Sequence, residues 1–142
     1  KQLNRQVGLL CSKIAEDCLE QTVGLSQPSD LYRGVYGIPR GGVVLAVMIS
    51  HTLNIPYVDR LQSLYGEKFL VVDDIADSGH TLHQMQAEVF QNADFATIHY
   101  SRQSIVEPKF WVEEKGNDWI VYPWENQDSK PIQDYKLEQN SI

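Results

Sequence analysis

The chain has 142 residues, 42% of them hydrophobic and 22% charged, with 12 basic against 19 acidic residues and a net charge of −7. That length is one domain's worth and can bury a core without disulfide or metal staples, and the apolar content excludes disorder along the whole chain. There is no apolar run of membrane-spanning length and no visible leader segment, and the acidic balance argues against a nucleic acid partner.

Leu3, Val7, Leu10, Cys11, Ile14 and Cys18 recur at helical spacing and predict an amphipathic helix over 3–20. Cys11 and Cys18 are the only cysteines. Their spacing along a helix corresponds to roughly 10 Å of rise, too far for a disulfide. They read as buried free thiols, which fits a reducing, cytoplasmic compartment. Residues 22–30 are loop-like, 31–36 read as a strand ended by Gly37, and 38–42 as a turn. A mostly apolar helix follows over 43–53, then a strand over 55–61.

Phe69–Val72 is a continuous apolar run, as suits a strand covered on both faces. A loop over 73–79 leads to a helix over 81–90. Strands are predicted over 94–100, 110–112 and 118–122, and a loose polar tail over 126–142. The alternation of strands and helices predicts one α/β domain over 1–142, built on a mainly parallel sheet. Ligands of such sheets bind at the carboxyl ends of the strands.

The chemistry concentrates in Phe69-Leu70-Val71-Val72-Asp73-Asp74-Ile75-Ala76-Asp77-Ser78-Gly79-His80-Thr81-Leu82. A buried strand delivers two carboxylates to its exit. A short turn with Ser78, Gly79 and Thr81 then opens a helix, whose free N–H groups favour an anion. One reading is only a helix N-cap with acids favoured by the dipole. The other is a sugar phosphate, whose phosphate meets the amides while its hydroxyls donate to the acids. His80 and His83 lie three apart on the same helix, but no third ligand at sensible spacing follows, and no zinc site is expected.

The whole run resembles the 5-phosphoribosyl-1-diphosphate (PRPP) motif of the type I phosphoribosyltransferases: four apolar residues, two acids, two variable residues, then Asp-Thr/Ser-Gly-x-Thr. The resemblance implies a twisted parallel sheet flanked by helices, with a small hood from the chain ends. It puts Asp73 and Asp74 at the ribose hydroxyls, and Asp77, Ser78, Gly79, His80 and Thr81 at the 5-phosphate. Upstream, Gly37-Ile38-Pro39-Arg40-Gly41-Gly42 resembles the family's pyrophosphate loop, which gives Arg40 and Gly41 to the diphosphate. Downstream, Asp118-Trp119-Ile120-Val121-Tyr122-Pro123-Trp124-Glu125 resembles the C-terminal signature of the xanthine-guanine branch. There Trp119 would stack on the purine and Ile120 would present its backbone to the purine edge. Glu125 would join Asp73 in a Mg²⁺ shell.

The resemblance therefore implies transfer of a phosphoribosyl group from PRPP to a 6-oxopurine (guanine, xanthine or hypoxanthine), with release of pyrophosphate. Asp77 would accept the proton at the base's N7, and Asp74 would stabilise positive charge on the ribose. Relatives are commonly homo-oligomers. Two departures stand out. Purine-specific relatives carry a lysine after the fourth strand, where this chain has Ser101 followed by Arg102, which becomes the candidate donor to the base. Relatives also carry a long mobile lid before the PRPP motif, where this chain has only 63–68 before Phe69. Either the lid is short, or its middle is missing from the chain as given. Another nucleobase, or a PRPP- or nucleotide-binding regulatory module without efficient turnover, are the competing readings.

Overall fold

The computed structural model describes residues 2–21, 27–60, 66–89 and 92–116. Helix α1 spans Gln2–Gln21, and Val7, Leu10, Cys11, Ile14 and Cys18 form its buried stripe, as the periodicity predicts. A short helix α2 follows at Pro28–Leu31. Strand β1 is Val35–Gly37, helix α3 is Gly41–Leu53 and strand β2 is Tyr57–Val58. Strand β3, Phe69–Ala76, feeds helix α4, His80–Val89. Strands β4, Ala93–Tyr100, and β5, Phe110–Glu114, complete the order.

The strands form one parallel sheet in the order β2-β1-β3-β4-β5. Gly37 lies beside Val72, and Asp73 beside Thr97. Helices α1 and α3 pack over Leu70, Val72, Ala96 and Ile98 on one face. Leu82 of α4 packs with Phe69, Val71 and Phe95 on the other. Successive β3 side chains thus enter opposite cores, which is why its sequence is a continuous apolar run. Chain order reverses between β1 and β3, the place where such sheets open a crevice at their carboxyl ends.

Several boundaries differ from the sequence reading. The predicted strand over 31–36 starts only at Val35. Pro28 is set for a first helical turn, and the Gln27 N–H donates to the Asp30 carboxylate at 3.2 Å, so the chain makes α2 instead. Tyr32 then leaves the ladder, fully buried, with its hydroxyl donating to Asp94 at 2.6 Å. Strand β2 is shorter than 55–61 because Asn54 adopts a left-handed conformation that ends α3, and the Ile55 N–H turns back to Ser50.

The largest correction is at β3. The predicted loop over 73–79 begins as strand, because β4 runs alongside and pairs Ile75 with His99 and Ala76 with Tyr100. Asp73 and Asp74 therefore belong to the rigid sheet. Helices α3 and α4 both begin earlier than predicted, and β5 runs past Val112 to Glu114. The strand predicted over 118–122, the tail over 126–142, the last residue of the strand predicted over 55–61 and the residues 63–65 of the short lid segment lie outside the described residues. So do Trp119, Ile120 and Glu125.

Candidate active site

The two glycine-containing loops that the sequence singles out meet at the carboxyl edge, on either side of the crevice between β1 and β3. The Ile38 N–H donates to Val72 O at 2.9 Å, and so ties the exit of β1 to β3. The Pro39–Arg40 peptide bond that follows is cis. Arg40 is exposed at the start of α3. The next residue shows how closely the two segments approach: a Cβ on Gly41 would fall on the Asp74 carboxylate. A side chain at 41 would displace the Asp74 carboxylate from this position.

Asp73 is buried and Asp74 half-buried. Asp73 accepts the Asp74 N–H at 2.9 Å, and Asp74 accepts the Ile75 N–H at 2.8 Å. These bonds orient both carboxylates at the strand exit. Among the described residues, no three of His, Cys, Asp and Glu converge as a metal cage. Two adjacent carboxylates suit a hard divalent cation that takes most of its ligands from water and a phosphate substrate.

The turn from Asp77 to Thr81 leads into α4. Ser78 Oγ accepts the His80 N–H at 3.3 Å, and the His83 N–H bonds to Gly79 O at 2.9 Å. The loop between β4 and β5 fastens this turn from beneath. Ser101 N–H donates to Ala76 O and Ile105 N–H to Ser78 O, each at 2.9 Å. Gly79 has φ +85°, and a Cβ there would strike Ser104 and the backbone nitrogens of Ile105 and Val106. Position 79 needs glycine both for its conformation and for space.

Asp77 is held from two sides. Lys115 Nζ lies 3.0 Å from Oδ2, and Gln103 Nε2 donates to Oδ1 at 3.1 Å. Sequence reading named neither partner. Their signal was positional: both follow the last residues of strands, at the edge where a parallel sheet binds ligands. Arg102, the candidate donor, turns outward instead. Its side chain is 79% exposed and its Nε donates to Glu114 at 2.8 Å. His80 and His83 are exposed. His99 is mostly buried beside Glu113, and burial holds its pKa below the ordinary histidine value despite that carboxylate.

Other candidate chemistry falls away. Cys11 and Cys18 are free and buried. Burial pushes the Cys11 thiol up to about 11 and raises Cys18 too, so neither is a ready nucleophile. An open depression of about 860 Å³, lined by Gln86, Asn92, Asp94, Phe95 and Lys109 among others, lies at the amino-terminal end of β4 and holds none of the motif residues. No helix among the described residues is long and apolar enough to cross a membrane.

No protein-family model matches the chain. Its sequence does match curated proteins. The xanthine-guanine phosphoribosyltransferase of Idiomarina loihiensis is 32% identical over 121 residues, which cover 69% of this chain and 74% of that one. The chain belongs to the xanthine-guanine phosphoribosyltransferase family. The family member of Nitratidesulfovibrio vulgaris is 30% identical over 117 residues, 68% of this chain and 71% of that one. Among solved structures, the purine phosphoribosyltransferase of Pyrococcus horikoshii shares the fold, with a TM-score of 0.70 at 23% identity over 92% of this chain and 94% of that one. The chain is thus a phosphoribosyltransferase homologue with the type I sheet, and its Asp73–Thr81 segment sits at that sheet's switch point. Directly after β4 stands Ser101, whose side chain is buried and short, followed by Arg102.

Proposed function

We propose that this phosphoribosyltransferase moves the 5-phosphoribosyl group of PRPP onto N9 of a 6-oxopurine and releases pyrophosphate, a purine-salvage reaction. The observation that supports it best is the meeting of three parts at one sheet edge. They are the Asp73–Asp74 pair, the Asp77–Thr81 turn and the Arg40–Gly41 loop packed against Asp74.

In this reading the ribose hydroxyls donate to Asp73 and Asp74. The 5-phosphate takes the N–H groups of the turn from Asp77 to Thr81, with the Ser78 and Thr81 hydroxyls beside them and His80 contributing its backbone. Arg40 and the Gly41 amide face the diphosphate. The bond from the ribose anomeric carbon to the diphosphate oxygen breaks, and its electron pair leaves with pyrophosphate. The N9 lone pair forms the new bond, and the N7 proton passes to the Asp77 carboxylate. Positive charge builds on the sugar ring in the transition state, where the Asp74 carboxylate stabilises it. Asp73 and Glu125 are the residues that would hold Mg²⁺, which would supply charge neutralisation at the diphosphate. Trp119 stacks on the purine and Ile120 meets its edge through the backbone. A cytoplasmic, homo-oligomeric enzyme is part of the same proposal.

One observation favours a second reading. The segment 62–68 is short beside the lids of relatives, and a lid excludes water from a reactive sugar cation. A PRPP- or nucleotide-binding module would need no such cover. Asp77→Asn separates the two. The enzyme reading expects turnover to fall on the order of 10²–10⁴-fold while PRPP still binds. Near wild-type turnover in Asp77→Asn would refute the general-base role.

A further inference from the structure

Lys115 stands at a point where the sequence pattern assigns nothing. Its main-chain N–H donates to Tyr100 O at 2.8 Å, which sets the exit of β5 beside the end of β4. Its side chain then runs inward along the sheet edge and is only 14% exposed. The ammonium ends 3.0 Å from Asp77 Oδ2, while Gln103 occupies Oδ1. The residues directly after β4 do not do this. Ser101 is short and buried, and Arg102 is drawn outward to Glu114.

A carboxylate and an ammonium about one hydrogen-bond length apart make a specific recognition pair. The carboxylate accepts only, and the ammonium donates only, with three N–H groups available. On a 6-oxopurine, N7 and the exocyclic oxygen lie side by side on one edge of the ring. A proton on N7 matches the carboxylate, and the oxygen matches the ammonium. A 6-aminopurine puts an NH₂ donor where that oxygen was. Two donors would then face each other in a largely buried site, and such a mismatch rejects the wrong ligand strongly.

We propose that Lys115 is the specificity-determining residue of the acceptor site, donating to the purine's exocyclic oxygen beside the N7 whose proton Asp77 takes. In the ligand-free chain the ammonium rests on Asp77, and on binding it bridges that carboxylate and the base. Choice of base is thereby moved from the exit of β4 to the exit of β5. This rests on the role given to Asp77 under the proposed function.

The test compares the wild type with Lys115→Met and Lys115→Arg, using hypoxanthine and adenine with PRPP and Mg²⁺. In parallel, calorimetry reads the affinities for IMP and AMP, a readout that does not need turnover. The wild type is expected to prefer hypoxanthine. Lys115→Met should lose about 10–100-fold in kcat/KM for hypoxanthine, chiefly through KM, with adenine unchanged or improved. The IMP-to-AMP affinity ratio should fall by a similar factor, and Lys115→Arg should restore part of both. Each ratio is measured within one preparation, so a partly unfolded variant does not distort it. If Lys115→Met keeps the wild-type ratios, or loses both bases equally through kcat, Lys115 merely holds Asp77 and the proposal is overturned while the transferase reading stands. A wild type that transfers to no purine overturns both together.

Discussion

Replacing Gly79 with alanine probes the turn on which the phosphate site depends. Two separate costs can be worked from the structure. The backbone sits at φ +85°, where an L-residue costs about 1–2 kcal/mol. The added Cβ would lie 2.7 Å from Ile105 N and 2.8 Å from Val106 N, both backbone atoms that cannot swing aside. Relief requires the loop after β4 to move, which weakens the Ile105-to-Ser78 and Ser101-to-Ala76 bonds at about 0.5–1.5 kcal/mol each. Together these give roughly 2–5 kcal/mol, or a fall in Tm of roughly 7–17 °C for a chain of this size. Gly66 supplies the control, because its φ is +83° but nothing lies within 4 Å of a Cβ there. Gly66→Ala should show only the conformational part. The assay is thermal unfolding of both variants by circular dichroism, with PRPP affinity by calorimetry. PRPP affinity should fall more than tenfold in Gly79→Ala and stay near wild type in Gly66→Ala. Equal losses of Tm in the two variants would refute the packing argument, and wild-type PRPP affinity in Gly79→Ala would refute the placement of the phosphate.

Two further outcomes follow from the scaffold. Tyr32→Phe removes the buried hydroxyl that donates to Asp94, while Lys68 and Lys109 remain beside that carboxylate. A loss of about 1–2 kcal/mol is expected in urea unfolding, with PRPP affinity unchanged; no loss of stability would contradict the assignment. His99 has its folded-state pKa lowered, chiefly by burial, with Glu113 opposing. Below about pH 6.5 the unfolded chain then takes up a proton that the folded chain resists. Stability should therefore drop as pH falls from about 7 toward the folded pKa, and level off below it. His99→Gln should flatten that part of the profile in urea titrations at successive pH values. A wild type that instead gains stability over His99→Gln in acid would show that the Glu113 pair outweighs burial.

The parts of the fold that sequence made legible are those with a strong period or an unbroken apolar run. The α1 stripe from Val7 to Cys18 and the β3 run from Phe69 to Val72 appear as read. Boundaries failed where a tertiary partner overrode local signals. Asp73 and Asp74 look like loop residues in isolation, yet β4 extends the ladder past them to Ala76. Tyr32 looks like a strand residue, yet its hydroxyl is claimed by Asp94, far along the chain. The same limit governs the site. Asp73 to Thr81 announce themselves because their chemistry is contiguous in sequence. Lys115 and Gln103 do not, because each reaches Asp77 from a different segment of chain. The register of β5 against β4 brings Lys115 to Asp77, and the shorter strand read from sequence stops before it.

The most direct measurement is pyrophosphate release by the full chain with PRPP and Mg²⁺, assayed against guanine, xanthine, hypoxanthine, adenine and orotate in turn. Release that depends on a 6-oxopurine, with little or none for adenine and orotate, is the expected result. Measurable PRPP binding without base-dependent release from any of the five would contradict the transferase mechanism and leave a nucleotide-binding module.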